Sequence, residues 1–243
     1  MAAIQRESLG LVDHCTMQYA QDSICALLSS DILCNSDCTV HSRGCWGFFV
    51  LRTAYAPGDD QRVAAAMARL DDCVENAILL FRESDGATLS HEELDSEARA
   101  RYHNILVQDA EALDKASLTQ ARSYFQSFAA PYVADSEPET GSFGRSTRFR
   151  EFILLDDQVL SNLETAPKRG DVKAFDDLCG DQTTWVKLVD ADEEDVYSGS
   201  CALNVRDLLD AYETIGRLDR MTCFPMVEPP EGESELWTFC DLN

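Results

Sequence analysis

The sequence predicts an α+β fold in which a small mixed β-sheet is flanked by several helices. Three short runs, beginning at Trp46, Arg148 and Trp185, are rich in aromatic and β-branched residues and have the composition of buried strands. Between these runs, apolar residues recur at helical spacing. Strands separated by helices indicate a sheet with helices packed on it, and a ferredoxin-like arrangement is one candidate, because the strand order cannot be read from the sequence.

The first predicted strand covers residues 46–55 and ends before Pro57-Gly58. A helix is predicted to follow, with Asp59 or Asp60 as its cap. Its apolar positions recur every three or four residues and are Val63, Met67, Leu70, Val74, Ile78 and Phe81. This segment is therefore predicted to be a strand followed by an amphipathic helix.

The other elements follow from capping residues and apolar spacing. In chain order they are a helix at 11–28, a helix from a capping box at Ser90 and Glu93 to about 113, a helix at about 118–130, a strand at 148–155, a helix at 156–163 capped by Asp156, a strand at 185–190, a helix at 205–215, and an apolar tail at 236–240 that is an edge strand or a docking segment.

Two regions are predicted along the chain. Residues 1–45 form a cysteine-containing, helical N-terminal segment, and residues 46–243 form a single α+β domain. A polar loop near 134–146, which contains Pro and Gly, joins two halves of that domain.

The charge of the chain restricts its partners. It has 243 residues with 20 Lys+Arg against 44 Asp+Glu, a net charge of -24. Such a field repels nucleic acids and anionic membranes. The sequence therefore favours a small anionic molecule or a protein as the partner, and it leaves the oligomeric state open.

The ten cysteines help to predict the cellular compartment of the protein. No apolar run follows a basic segment near Met1, so no secretory signal is recognised. Without one, cysteines are expected to be reduced thiols, and we expect a cytoplasmic protein.

One cysteine cluster has the composition of a metal site. Cys34, Cys38, His41 and Cys45 have the spacing C-x3-C-x2-H-x3-C, and thiolate and imidazole ligands suit tetrahedral zinc. The alternative is that these are partly buried thiols without a metal. No other cofactor is predicted.

Positive residues in the predicted strands form the second candidate site. Because side chains alternate along a strand, Arg52, Arg148, Arg150 and Lys187 share faces with aromatic and aliphatic residues. If those faces coincide, they form a pocket for an anionic ligand, with the Tyr55 hydroxyl at its rim. The alternative is that each cation pairs with a carboxylate, such as those of Glu151 and Asp190, or with acidic groups at the surface.

Three blocks of the sequence resemble a group of proteins of filamentous fungi that have no known activity. The blocks are a strand of the form GF-x3-RT-x-Y beginning at Gly47, the run FREFILLDDQVL at 149–160, and WVKLVD at 185–190. The resemblance implies a fungal source and a consistent fold. It implies no mechanism.

Three functions remain open. The leading interpretation is an acidic ligand-binding or partner-binding protein, because no complete catalytic motif is present. The second is an enzyme that binds an anionic substrate through Arg52, Arg148 and Lys187, with Tyr55 or a histidine transferring a proton. The third is a regulatory protein stabilised by zinc at the cysteine cluster.

Overall fold

The computed structural model describes residues 45–85, 89–134, 147–179, 183–192, 199–218, 226–227 and 237–239. These residues form an α+β fold with a mixed sheet flanked by helices, as the sequence predicts. The predicted helix at 11–28 and nearly all of the predicted loop at 134–146 lie outside the described residues. Among the helices described, none combines the length and the apolar composition needed to cross a bilayer.

The strands, in chain order, are β1 (Phe49–Arg52), β2 (Ile105–Val107), β3 (Glu151–Leu155), β4 (Trp185–Asp190), β5 (Ser200–Asn204), β6 (Met226–Val227) and β7 (Trp237–Phe239). The helices are α1 (Asp59–Asp85), α2 (Leu89–Arg101), α3 (Ala110–Leu113), α4 (Leu118–Ala134), α5 (Asp157–Glu164), α6 (Val172–Asp176) and α7 (Leu208–Leu218). Two short 3-10 turns cover Thr147–Phe149 and Val205–Asp207.

The sheet has the strand order β2-β1-β3-β4-β5-β7-β6. β1 pairs in parallel with both β2 and β3, β3 and β5 pair antiparallel with β4, and β7 pairs in parallel with β5 and antiparallel with β6. The ferredoxin-like candidate is therefore wrong, because neighbouring strands in that fold are antiparallel and β1 has two parallel neighbours. The apolar tail forms β7, which has a strand on each side and is not at the edge of the sheet.

Each face of the sheet is covered by helices. Side chains alternate along β1, so Val50 joins the core formed with α1, α5 and α7, whereas Phe49 and Leu51 join the core formed with α4. The chain crosses from β1 to β2 through α1 on one face, and from β2 to β3 through α4 on the other. This arrangement buries all four residues of β1 and explains why its sequence is nearly continuously apolar.

The helix predicted after Pro57-Gly58 is confirmed as α1. Its acidic first turn interacts favourably with the positive end of the helix dipole. The predicted positions Val63, Leu70, Val74 and Ile78 are all buried against the sheet.

The predicted helix from Ser90 to about residue 113 is wrong in its second half. α2 ends at Arg101, and residues 105–107 form β2, whose register places Ile105 beside Phe49. Three residues are too few to show strand periodicity in the sequence, so pairing with β1 decides their conformation.

The predicted strand at 148–155 is wrong at its start. Residues 147–149 form a 3-10 turn, and β3 begins at Glu151. Asp156 caps α5 as predicted, since its side chain accepts a hydrogen bond from the Val159 N–H. The strand at 185–190 is confirmed as β4, whereas β5 and α6 were not predicted.

Gly47 leads the chain into β1 and permits a close approach to the segment before β2. Its φ is +105°, and a Cβ at this position would lie 2.8 Å from the main-chain oxygen of His103. Gly58 has a similar φ of +96°, yet no atom lies within 4 Å of the position of its missing Cβ. The two glycines therefore share backbone strain but differ in steric contact.

We predict that Gly47→Ala destabilises the protein more than Gly58→Ala. Strain alone should cost about 1–2 kcal/mol of unfolding free energy at either position. Gly47→Ala should lose a further ~1–3 kcal/mol, because a backbone atom must move to admit the Cβ. Urea denaturation of both variants measures this difference, and equal losses would contradict the steric account.

Candidate functional site

The carboxyl ends of β2, β1 and β3 meet at one edge of the sheet, which we call the carboxyl edge. It consists of the residues that follow these strands, at 53–60, 108–109 and 156–157, together with Arg52. In open sheets with parallel strands, ligands bind beyond the carboxyl ends, at the point where the strand order reverses. Here the chain runs from β1 outward to β2 and then returns past β1 to β3, so the strand order reverses between β1 and β3. The helices that follow these two strands, α1 and α5, pack on the same face of the sheet.

Arg52 is the last residue of β1, and its side chain joins two segments of the carboxyl edge, 53–60 and 108–109. Its Nε donates to the main-chain oxygen of Ala54 at 2.6 Å. Its Nη1 donates to Asp60 Oδ1 at 2.7 Å and to Gln108 Oε1 at 3.0 Å. The guanidinium carbon lies 4.3 Å from the centre of the Tyr55 ring, a cation–π contact. The position of the guanidinium is thus fixed from several directions.

Tyr55 belongs to a second group of hydrogen bonds at this edge. Its hydroxyl oxygen accepts a hydrogen bond of 2.8 Å from the main-chain N–H of Asp109. Asp109 caps α3, and its carboxylate accepts a hydrogen bond from the Tyr124 hydroxyl at 3.2 Å. Burial raises the pKa of Tyr55, although the Asp109 N–H and the Arg52 charge lower it. The phenol therefore stays protonated at neutral pH and keeps a proton to donate.

Lys187 lies near the same edge but points from the other face. Lys187 pairs in register with Leu154, which packs in the core against α4. Arg52 pairs in register with Leu155, which packs in the core against α1. Paired residues share a face, so Lys187 and Arg52 are on opposite faces of the sheet. The Lys187 ammonium donates to Asp156 Oδ2 at 2.6 Å. Lys187 thus supports the cap of α5.

Arg148 and Arg150 lie at the opposite end of the sheet. Arg148 is fully buried, and its Nη1 donates to the main-chain oxygens of Gly47, at 3.1 Å, and His103, at 2.8 Å. These oxygens belong to the segments entering β1 and β2. Burial lowers the pKa of the Arg148 guanidinium, which lies over the Phe49 ring. Its contacts fasten the amino ends of the parallel strands.

The structure does not bring the predicted cations into one pocket. Arg52 and Lys187 lie near the carboxyl end of β3, and Arg148 and Arg150 precede its amino end, about 13 Å away along the strand. Arg52 lies beside Tyr55, as the prediction requires.

Three of the four predicted cations contact a carboxyl group, which is the alternative that the sequence left open, whereas the described hydrogen bonds of Arg148 go to main-chain oxygens. The Arg52 guanidinium lies 2.7 Å from Asp60, the Lys187 ammonium 2.6 Å from Asp156 and the Arg150 guanidinium 3.3 Å from the Glu151 carboxyl group. Whether any of these residues binds a ligand stays a prediction.

Sequence reasoning missed Gln108 and Asp109, and it recognised Asp60 only as a helix cap. Gln108 and Asp109 fell inside a predicted helix, so nothing placed them at the end of a strand. An apolar triplet followed by Gln-Asp was the available signal for β2 and the cap after it.

Of the predicted zinc ligands, only Cys45 is described by the structure. It is fully buried and disulfide-bonded. The expectation of reduced thiols fails there, whereas Cys73, Cys179 and Cys201 are free. Zinc ligation by Cys45 would require the disulfide to be reduced first. Elsewhere in the described ranges, no group of three or more His, Cys, Asp or Glu side chains could hold a metal ion.

No protein-family model, curated protein or solved structure matches the chain. The resemblance to proteins of filamentous fungi therefore stays an expectation.

Glu151 is the most unfavourably placed carboxyl group at the amino end of β3. It is fully buried, neither of its oxygens has a hydrogen-bond partner among the described residues, and the Nη2 of Arg150 lies 3.3 Å from Oε1. Asp190 is directly opposite in the antiparallel register. Burial raises the pKa of Glu151 well above its ordinary value, with Arg150 opposing the shift and Asp190 adding to it.

We predict that Glu151→Gln removes a pH dependence of stability. Because the pKa is raised in the folded state, its contribution is fully present below the ordinary value of 4.5 and is lost as the pH rises toward the folded pKa. In that window the wild type should lose about 1.4 kcal/mol of unfolding free energy per pH unit relative to the variant. Urea denaturation of both proteins from pH 4.5 to 8 measures this, and parallel curves would rule out a buried neutral carboxyl.

Proposed function

We propose that this protein binds a small anionic molecule at the carboxyl edge, with the Arg52 guanidinium as the principal binding group. The proposal depends on one observation: a buried, rigidly held guanidinium whose ionic partner, Asp60, is almost entirely in solvent. The Arg52 side chain is 5% exposed and that of Asp60 is 90% exposed. Arg52 therefore lies just inside the surface, within reach of a ligand.

The hydrogen bonds of Arg52 support this role. Within the described part of the chain they use Nε and Nη1, and no hydrogen bond of Nη2 is seen there. Nη2 is thus available to a ligand. An arginine presents its N–H groups as a planar fork that suits carboxylate and phosphate oxygens.

Two further features of the carboxyl edge support anion binding. α1 and α5 both begin here, and their amino ends carry partial positive charge. The Tyr55 phenol remains protonated beside Arg52 and can donate a hydrogen bond. The site uses Arg52 and Tyr55 of the predicted binding residues, while Lys187 supports the edge through Asp156.

An enzyme remains the second candidate, with Tyr55 or a histidine as the proton-transfer group for a substrate bound at Arg52. The expectation of a cytoplasmic protein is supported by the free thiols of Cys73, Cys179 and Cys201 and opposed by the disulfide of Cys45. A protein partner stays the alternative to a small ligand. Binding of an anion without its chemical conversion would favour a binding protein over an enzyme.

We predict that Arg52→Gln weakens anion binding at least tenfold. The variant loses a charge-assisted hydrogen bond, which contributes about 1.5–3 kcal/mol. Isothermal titration with sodium benzoate and with inorganic phosphate measures the effect, and cooperative unfolding followed by circular dichroism verifies that the variant folds.

Arg62→Gln is the matched control. Arg62 is on the first turn of α1 at the same edge, where it pairs with Asp59, Asp157 and Glu164. The Arg62→Gln substitution removes the same positive charge as Arg52→Gln and leaves Arg52 unchanged. If both variants bind the anions equally weakly, the anion responds only to the overall charge of the protein. The proposed site at Arg52 would then be wrong.

A further inference from the structure

We propose that the Asp60 carboxylate occupies the place of the ligand's own carboxylate and is displaced from Arg52 when the ligand binds. This inference rests on the proposed function of the carboxyl edge. It adds that the ligand carries a carboxylate and that Asp60 lowers the ligand's affinity by competing for Arg52.

Asp60 is held by fewer contacts than Arg52. Its described contact is the single hydrogen bond to Arg52 Nη1. Because its side chain is 90% exposed, water solvates the carboxylate when its ion pair with Arg52 breaks. Asp60 can therefore move aside at low cost.

Arg52 remains in place after Asp60 leaves. Its Nε is still bonded to the Ala54 oxygen, Nη1 to Gln108, and the Tyr55 ring still lies against the guanidinium. A ligand therefore meets a binding group that needs no further ordering, which lowers the entropic cost of binding.

Asp157 pairs with Arg62 rather than with Arg52, and two other carboxylates at this edge, those of Asp59 and Asp156, are each held by more than one contact. Asp59 accepts the Ala56 N–H at 2.7 Å and pairs with Arg62. Asp156 caps α5 and binds the Lys187 ammonium. Their displacement would break helix caps or turns, so Asp60 is the exchangeable carboxylate.

The charge of the edge distinguishes a carboxylate from a phosphate. Asp59, Asp60, Asp109 and Asp156 all belong to the carboxyl edge, in a protein of net charge -24. Repulsion scales with the ligand's charge, so a phosphate dianion is disfavoured more than a monoanion. A carboxylate can also accept from Nη1 and Nη2 together in one plane. The geometry therefore favours a monocarboxylate.

The test compares Asp60→Asn with Asp157→Asn. Both substitutions remove one negative charge from the first turn of a helix at this edge, and Asp157, 77% exposed, pairs with Arg62 rather than Arg52. Sodium benzoate and inorganic phosphate are titrated into the wild type and both variants by calorimetry. We expect Asp60→Asn to bind benzoate about two- to fivefold tighter than the wild type, because the competing ion pair is absent.

The outcomes separate the two proposals. If Asp157→Asn tightens benzoate binding as much as Asp60→Asn, the effect comes from overall charge. The proposal that Asp60 competes with the ligand is then wrong, while the proposed binding site at Arg52 is unaffected. If phosphate binds Asp60→Asn more tightly than benzoate does, the carboxylate assignment is wrong. If neither anion binds the wild type or Asp60→Asn at concentrations on the order of 10 mM, the proposed function itself is overturned.

Discussion

The complete burial of β1 is the constraint on which the rest of the structure depends. β1 has a parallel strand on each side and helices on both faces, so each of its residues must be apolar or find a polar partner at an end. Phe49, Val50 and Leu51 satisfy the first condition. Arg52 satisfies the second, because it is the last residue of the strand and its guanidinium reaches the oxygens of the carboxyl edge. Burial of the strand thus creates the candidate site.

Much of the fold could be predicted because composition and periodicity are local properties. β1, β4, α1 and α4 were found from runs of strand-forming residues and from apolar positions at helical spacing. β2 and β5 could not be found in this way. Ile105–Val107 is too short to show a period, and Ser200–Asn204 has few residues that favour strands. Both exist because a neighbouring strand supplies hydrogen bonds, which is a property of tertiary structure.

The candidate site was predictable only in part. Alternation along a strand identifies the face to which a side chain belongs, but it does not say which ends of different strands lie together. Arg52 ends its strand and Arg150 immediately precedes one. Because β1 and β3 are parallel, the two residues lie at opposite edges, whereas an antiparallel pair would have brought them together. The partners Asp60 and Gln108 become neighbours of Arg52 only through the packing of α1 and β2.

The parallel pairing of β1 with β3 also affects how the chain folds during synthesis. Thr53 and Leu155 are hydrogen-bonded across a separation of 102 residues, so the second neighbour of β1 emerges from the ribosome on the order of ten seconds after β1 itself. During that interval the segment Trp46–Leu51 has one open side, and its composition is that of an aggregation-prone strand. A nascent chain of this protein is therefore most in need of a chaperone before β3 is translated.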